Sequence, residues 1–330
     1  MRKNLLGFQN LKDLDRMKNH ILHGMNKYQI FLMILLFVLI DCSTETTQFD
    51  GEIAFKYLEQ QCDLGVRNPG SPGHTAAKEM FIAFLTPLAD TVIQQDFEWY
   101  IKPDDISFKM TNIIANFSME KGNGLIIAAH WDTRPRAEHD PNPRNRGMPI
   151  LGANDGASGI AVLMHLAEHL AEKKPDRAVS LVFFDGEDYG FPGDLEYYCM
   201  GSEYFAKNLP ILKPAEAIII DMIGDAELAI PVERSSYRSH PKLVETLWKI
   251  ADRHGYSEFE HRIGEEIYDD HIPLIKFADI PSIDIIDFHY PNRFTNYWHT
   301  LQDTPDKCSP RSLEVVGQVL LDYIYQEYNR

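Results

Sequence analysis

Three short apolar runs in this chain each end on a histidine or a carboxylate. Leu125-Ile-Ile-Ala-Ala129 runs straight into His130, Leu181-Val-Phe-Phe184 into Asp185-Gly186-Glu187-Asp188, and Ala217-Ile-Ile-Ile220 into Asp221. Runs this short, without polar alternation, suit strands buried on both faces, as in a parallel sheet covered by helices. Ligands of open α/β sheets collect at the carboxyl ends of such strands. Further strands are predicted at Thr91–Phe97, Asn112–Phe117 and Ser282–Ile286. Helices are predicted at Phe49–Glu59, His74–Leu85, from Gly159 to about Lys173, at Lys242–His254 and at Pro310–Tyr328. Strand and helix alternate with no repeat and no Gly/Ser linker. The expectation is one α/β domain, a central mixed, mostly parallel twisted sheet flanked by helices, over residues 51–330.

Ahead of that domain, Met25-Asn-Lys27 leads into eleven apolar residues, Ile30 to Ile40, followed by Asp41-Cys42. That run is short for a membrane span and suits the core of an export signal. Residues 1–42 are therefore expected to be a signal peptide or lipoprotein signal, with Met25 as a candidate start and residues 43–50 as a short linker. The chain is expected to be exported, periplasmic or held at a membrane by a lipidated Cys42 or the apolar segment. A formal charge of −17 with no basic stripe argues against nucleic acid as a partner. None of the four cysteines stands in a CxxC pair, which argues against a thiolate zinc site.

The two neighbouring acids Glu187 and Asp188 repel each other, and a metal ion is the simplest counter-charge. Asp188 reads as a ligand and Glu187 as the proton carrier beside it. His130, Asp155, Asp221 and His299 complete a mixed histidine and carboxylate set of the kind that zinc accepts. Asp132, two residues after His130, is expected to orient it from the outer shell. The segment His165-Leu-Ala-Glu168-His169 matches an inverted zinc-peptidase motif. It falls opposite the apolar stripe Ile160, Leu163, Leu166, Ala167 and Leu170, so these residues are expected to face water. The proline-rich loop from Arg134 to Pro149 is expected to form a wall or lid near the strand ends.

His130-x-Asp132, Gly152-Ala-Asn-Asp155-Gly156, Gly186-Glu187-Asp188, Asp221-Met-Ile-Gly224, Asp270-His271 and His299-Thr300 together resemble the zinc-dependent aminopeptidases of the α/β exopeptidase fold. The resemblance is closer to their relatives, the animal-type (type II) glutaminyl-peptide cyclotransferases of bacterial kind. It extends from about Gly51 to Glu327 and includes Arg67-Asn-Pro-Gly-Ser-Pro-Gly73 and Tyr297-Trp298-His299-Thr300. Asp269 before Asp270, and Trp298 before His299, favour the cyclotransferases. Animal members carry glutamate where this chain has Asp188.

That resemblance implies one zinc held by Asp155, Asp188 and His299, with Glu187 as general base and acid beside Asp221 and Asp269. It further implies that Trp298, Tyr268, Asp270 and His271 contact substrate, a peptide or protein with amino-terminal glutamine, which is converted to pyroglutamate with release of ammonia. His130 and Asp221 complete a second metal site in the aminopeptidases. A dizinc aminopeptidase is accordingly the first alternative, and a non-catalytic exported binding protein the second.

Overall fold

The computed structural model describes residues 48–325 except 123, 192 and 194. The expected leader, Met25 and Cys42 lie outside them. No described helix is long and apolar enough to cross a membrane.

Two helices open the domain, α1 (Gly51–Asp63) and α2 (Pro72–Leu85), followed by an antiparallel hairpin of β1 (Thr91–Ile101) and β2 (Ile106–Phe117). Next come β3 (Leu125–His130), α3 (Ala157–Glu172), β4 (Val179–Phe184), α4 (Met200–Lys207) and β5 (Glu216–Asp221). A short strand β6 (Ile230–Val232), helices α5 (Arg234–Ser239) and α6 (Pro241–His254), and strand β7 (Phe259–Ile263) form an excursion. The chain returns through α7 (His271–Ala278) and β8 (Ser282–Ile286), makes a small hairpin of β9 (Pro291–Asn292) and β10 (Thr295–Asn296), and closes with α8 (Pro310–Tyr325).

The six-stranded sheet has the order β1-β2-β4-β3-β5-β8, with β4, β3, β5 and β8 parallel and the β1–β2 hairpin antiparallel at one edge. The mixed, mostly parallel sheet flanked by helices is thus what the apolar runs predict. Strand alternation divides each run between two cores. Ile127, Ala129, Leu181, Phe183, Ile218 and Ile220 face a large cluster containing Phe81, Leu163 and Leu320. Ile126, Ala128, Val182, Phe184 and Ile219 face a smaller one with Phe205 and Leu274. From β3, the chain goes to β4 on one side and later to β5 on the other. This is a topological switch point, and a crevice at the carboxyl ends follows from it.

His165 does not face water: it is 5% exposed and lies beneath the start of α1. The Asp50 amide lies 3.3 Å from its Nε2, its Nδ1 is 2.7 Å from Glu168, and the Tyr57 hydroxyl donates to Glu168 at 2.6 Å. For His165 the expectation fails because α3 is covered on a second side by α1, through hydrogen bonds that hydropathy does not register; Glu168 and His169 are half-buried and Glu172 is exposed. His165 and Glu168 are tied into a helix–helix interface.

The turn-rich segment before α2 carries a buried arginine. Arg67 donates to the carbonyls of Trp131 (3.2 Å), Leu151 (3.1 Å) and Gly152 (2.8 Å), while its amide donates to Thr133 Oγ1. It thereby fixes the backbone beyond β3 to the loop that leads into α3. Arg67→Ala strips these carbonyls, and that of Gln61 at 3.4 Å, of a charged donor, and we expect a loss of stability on the order of 4 kcal/mol. The shift in denaturant midpoint at constant m-value measures it.

Candidate functional site

His130 ends β3, Glu187 and Asp188 follow β4, and Asp221 ends β5, so three adjacent parallel strands deliver them to one crevice. The turn after β4 is held from below. Asp185 lies 2.8 Å from His74 Nε2 and accepts the Thr111 amide at 2.7 Å. Gly186 has φ +75°, and a Cβ there would sit 2.5 Å from Met110 Sδ, so the sharp turn that exposes Glu187 requires glycine. Asp132 accepts the amides of Glu187 (3.0 Å) and Asp188 (3.2 Å), whereas its distance to His130 Nδ1 is 3.6 Å. Its hydrogen bonds therefore anchor the Glu187–Asp188 turn. The expected orienting bond to His130 is longer than a hydrogen bond.

Asp155 stands in the loop before α3, where the Asp303 carboxylate accepts the amides of Asn154 and Asp155 at 2.8 and 3.1 Å. His299 comes from the loop after β10 with φ +55°, and Trp298 stacks on its ring at 3.7 Å. A β-carbon residue with positive φ is costly and persists only where its surroundings hold it.

Two ligand triads result, and they share Asp155. On one side, His130 Nε2 lies 3.2 Å from Asp155 Oδ1 and 3.1 Å from Asp221 Oδ1. On the other, His299 Nε2 lies 3.6 Å from Asp155 Oδ2 and 3.3 Å from Asp188 Oδ1. Among the described residues, buried Asp155 Oδ2 and Asp188 Oδ2 have no hydrogen-bond partner. Buried carboxylate oxygens left in that condition beside an imidazole fit a divalent cation, and the oxygen/nitrogen donor set fits zinc.

A third cluster lies beside them: Glu187, Cys199 and Asp269 have polar atoms within 4.8 Å of one another. The Cys199 thiol donates to Glu187 Oε1 at 3.4 Å. Burial pushes the Glu187 carboxyl well above its ordinary pKa; His130 opposes this, while Asp188, Asp269 and Asp270 reinforce it. Sequence reading missed Cys199 as a partner of Glu187, since nothing local connects two residues on separate turns.

Trp298 lines an open cleft of about 600 Å³ together with Glu138, His139, Phe288 and Phe294. Tyr268 is half-buried, and burial, reinforced by Cys199, Glu203, Asp270 and Glu187, raises its hydroxyl to about 12. Asp270 and His271 differ from expectation. Both are 0% exposed, and His271 sits 3.4 Å from Glu233 and 4.0 Å from Asp284. They stand at the start of α7, next to Asp269 in sequence, and are closed off from solvent, where a substrate-contacting role calls for exposure.

Two further residues escaped the sequence reading. Arg134, fully buried, donates to Asp188 Oδ1 at 2.7 Å and through Nε to both oxygens of Glu138. Glu138 Oε1 in turn lies 3.0 Å from His299 Nδ1. Burial works against its charge, but His299 and Arg134 hold its carboxyl well below the usual range.

Residues 112–324 match the model of peptidase family M28. A glutaminyl cyclase from Bacteroides thetaiotaomicron, solved with N-acetylhistamine bound, is 33% identical with a TM-score of 0.81, covering 85% of this chain and 99% of that one. A Zn-dependent exopeptidase from Parabacteroides distasonis is 31% identical with a TM-score of 0.82, covering 85% and 99%. The glutaminyl-peptide cyclotransferase of Dictyostelium discoideum is 26% identical over 255 residues, 67% of this chain and 64% of that protein's length. The matched region contains both triads and the Glu187 turn, and the chain belongs to peptidase family M28.

Proposed function

We propose that this protein is a glutaminyl-peptide cyclotransferase, closing an amino-terminal glutamine of a peptide to pyroglutamate with release of ammonia. The relatives named for that activity support the reading, and the observation that carries it is the second acid, Asp269, grouped with Glu187. Asp155, Asp188 and His299 would hold one zinc ion. When bound, zinc supplies Lewis-acid polarisation of an amide carbonyl.

This chain's own residues then have definable tasks. The α-amine nitrogen forms a bond to the γ-amide carbon, and the bond from that carbon to the amide nitrogen breaks. Glu187 takes a proton from the attacking amine and returns it to the departing nitrogen, so no net proton is consumed by the enzyme. The Cys199 thiol, which donates to Glu187 Oε1, holds the carboxyl in reach, and the nearby Asp269 charge favours its protonated form. The nucleophile is already tethered to its electrophile, so the pocket's remaining work is to keep the side chain bent, with Trp298 as an aromatic wall. The attacking amine must be neutral, and activity therefore falls as the medium is acidified.

One cation is favoured over two by the asymmetry of the triads. The oxygens without partners belong to Asp155 and Asp188, on the His299 side. Asp221 Oδ1 already accepts the Met222 amide at 2.8 Å and contacts His130.

The dizinc aminopeptidase remains a second reading because both triads exist. Incubating the protein with a Gln-peptide and with an unblocked Leu-peptide separates the two. We expect ammonia and a peptide 17 Da lighter (roughly the mass of the expelled ammonia) from the first, and no free leucine from the second. Leucine release without ammonia would replace the proposal with the peptidase, and no turnover of either would favour the binding protein.

A further inference from the structure

The loop from Arg134 to Pro149 was expected to be a wall or lid, but its first turn is built as a brace. Three consecutive residues grip the segment that carries His299. Glu138 Oε1 lies 3.0 Å from His299 Nδ1, the His139 amide donates to the His299 carbonyl at 3.1 Å, and Asp140 accepts the Leu301 amide at 3.1 Å. At its other end, Arg134 reaches Asp188, donating to the carboxylate at 2.7 Å and to the carbonyl at 3.1 Å.

Arg134 does not require Glu138 as a partner. It also donates to the Gly190 carbonyl at 3.0 Å and to the Tyr198 hydroxyl at 2.9 Å. The guanidinium would remain well bonded without the carboxylate. His299 stands differently. Its Nε2 points at Asp155 and Asp188, so Nδ1 is the nitrogen left to fix the ring, and Glu138 is what that nitrogen meets. A carboxylate on the far nitrogen of a metal histidine selects the tautomer with Nε2 free and sets the plane of the ring. The positive φ of His299 makes this support more necessary, since the local backbone does not favour that ring position unaided.

We propose that Glu138 is the positioning residue of the metal centre: through His299 Nδ1 it presents Nε2 to the cation, while Arg134 ties it to the second ligand, Asp188. The inference rests on the reading that a zinc ion sits between Asp155, Asp188 and His299. It concerns affinity for the ion and is independent of which peptide is turned over.

The test is zinc affinity of the full chain, measured by competition with a chromophoric chelator, for the parent, Glu138→Ala and Glu138→Gln. Thermal unfolding of each metal-free protein monitors the fold. We expect Glu138→Ala to bind zinc about 10–100-fold more weakly. Glu138→Gln keeps an acceptor oxygen for Nδ1–H and should recover most of that loss. Charge alone, without positioning, would leave Gln as weak as Ala, and that result overturns the proposal. So does an Ala variant within twofold of the parent. Should Glu138→Ala unfold, the Gln variant together with Glu138→Asp decides the matter, because withdrawing the carboxylate by one carbon must weaken zinc binding more than exchanging it for an amide. A parent that binds no zinc refutes the ligand assignment itself, whereas a parent that binds zinc and fails on Gln-peptides refutes only the cyclotransferase reading.

Discussion

Glu187→Gln should reduce turnover of a Gln-peptide by about 10²–10⁴-fold, the usual range for a lost general acid–base group, with zinc per chain unchanged. The two residues have nearly the same shape, so the turn after β4 is undisturbed: Asp132 still accepts the amides of residues 187 and 188. The amide oxygen of glutamine can still accept from the Cys199 thiol. What disappears is a group able to gain and give up a proton between the two nitrogens of the substrate. Glu187 stands outside the triad of Asp155, Asp188 and His299, which is why metal content should hold. Ammonia release and metal analysis on the same preparation check both halves. Activity within tenfold of the parent would move the proton-carrying role elsewhere, with Asp269 the first residue to examine. Activity lost together with the metal would make Glu187 a ligand.

Much of this molecule is legible along the chain because its sheet is written in uninterrupted apolar runs. Leu181–Phe184 and Ala217–Ile220 identify buried strands, and the residues that follow them identify the crevice. The short helix from Met200 to Lys207 and that from His271 to Ala278 went unread, being only about two turns each with little periodicity to reveal them. His165 misled for a different reason. A helix packed on two sides can bury polar residues that pair with a neighbouring helix, and apolar spacing locates only one of those sides. Asp270 and His271 carried a family resemblance but are fully buried, since adjacency to Asp269 in sequence says nothing about which side of a helix start is exposed. Glu138 and Arg134 were invisible because their partners lie 161 and 54 positions away. Pairings of that range leave no local trace.

Exchanging Asp155 or Asp221 separates one metal from two more sharply than counting ligands does. Asp155 is the only residue common to both triads, with Oδ1 toward His130 and Oδ2 toward His299. Asp155→Ala should therefore weaken zinc binding by more than about 100-fold, beyond the loss typical of an outer-shell partner, whichever stoichiometry holds. Asp221→Asn acts on the His130 triad alone. Its amide oxygen can still accept the Met222 amide, so the backbone at the end of β5, where Met222 has φ +50°, keeps its support. With one ion on the His299 side, Asp221→Asn leaves the parent's single zinc in place, and its effect is confined to the charge around Glu187 and His130. With two ions, the parent holds two and the variant one. Equilibrium dialysis against buffered zinc, read as ions per chain for the three proteins, distinguishes these patterns. Two tightly held ions in the parent, falling to one in Asp221→Asn, would overturn the single-zinc assignment and return the His130 triad to the role it has in a dizinc peptidase.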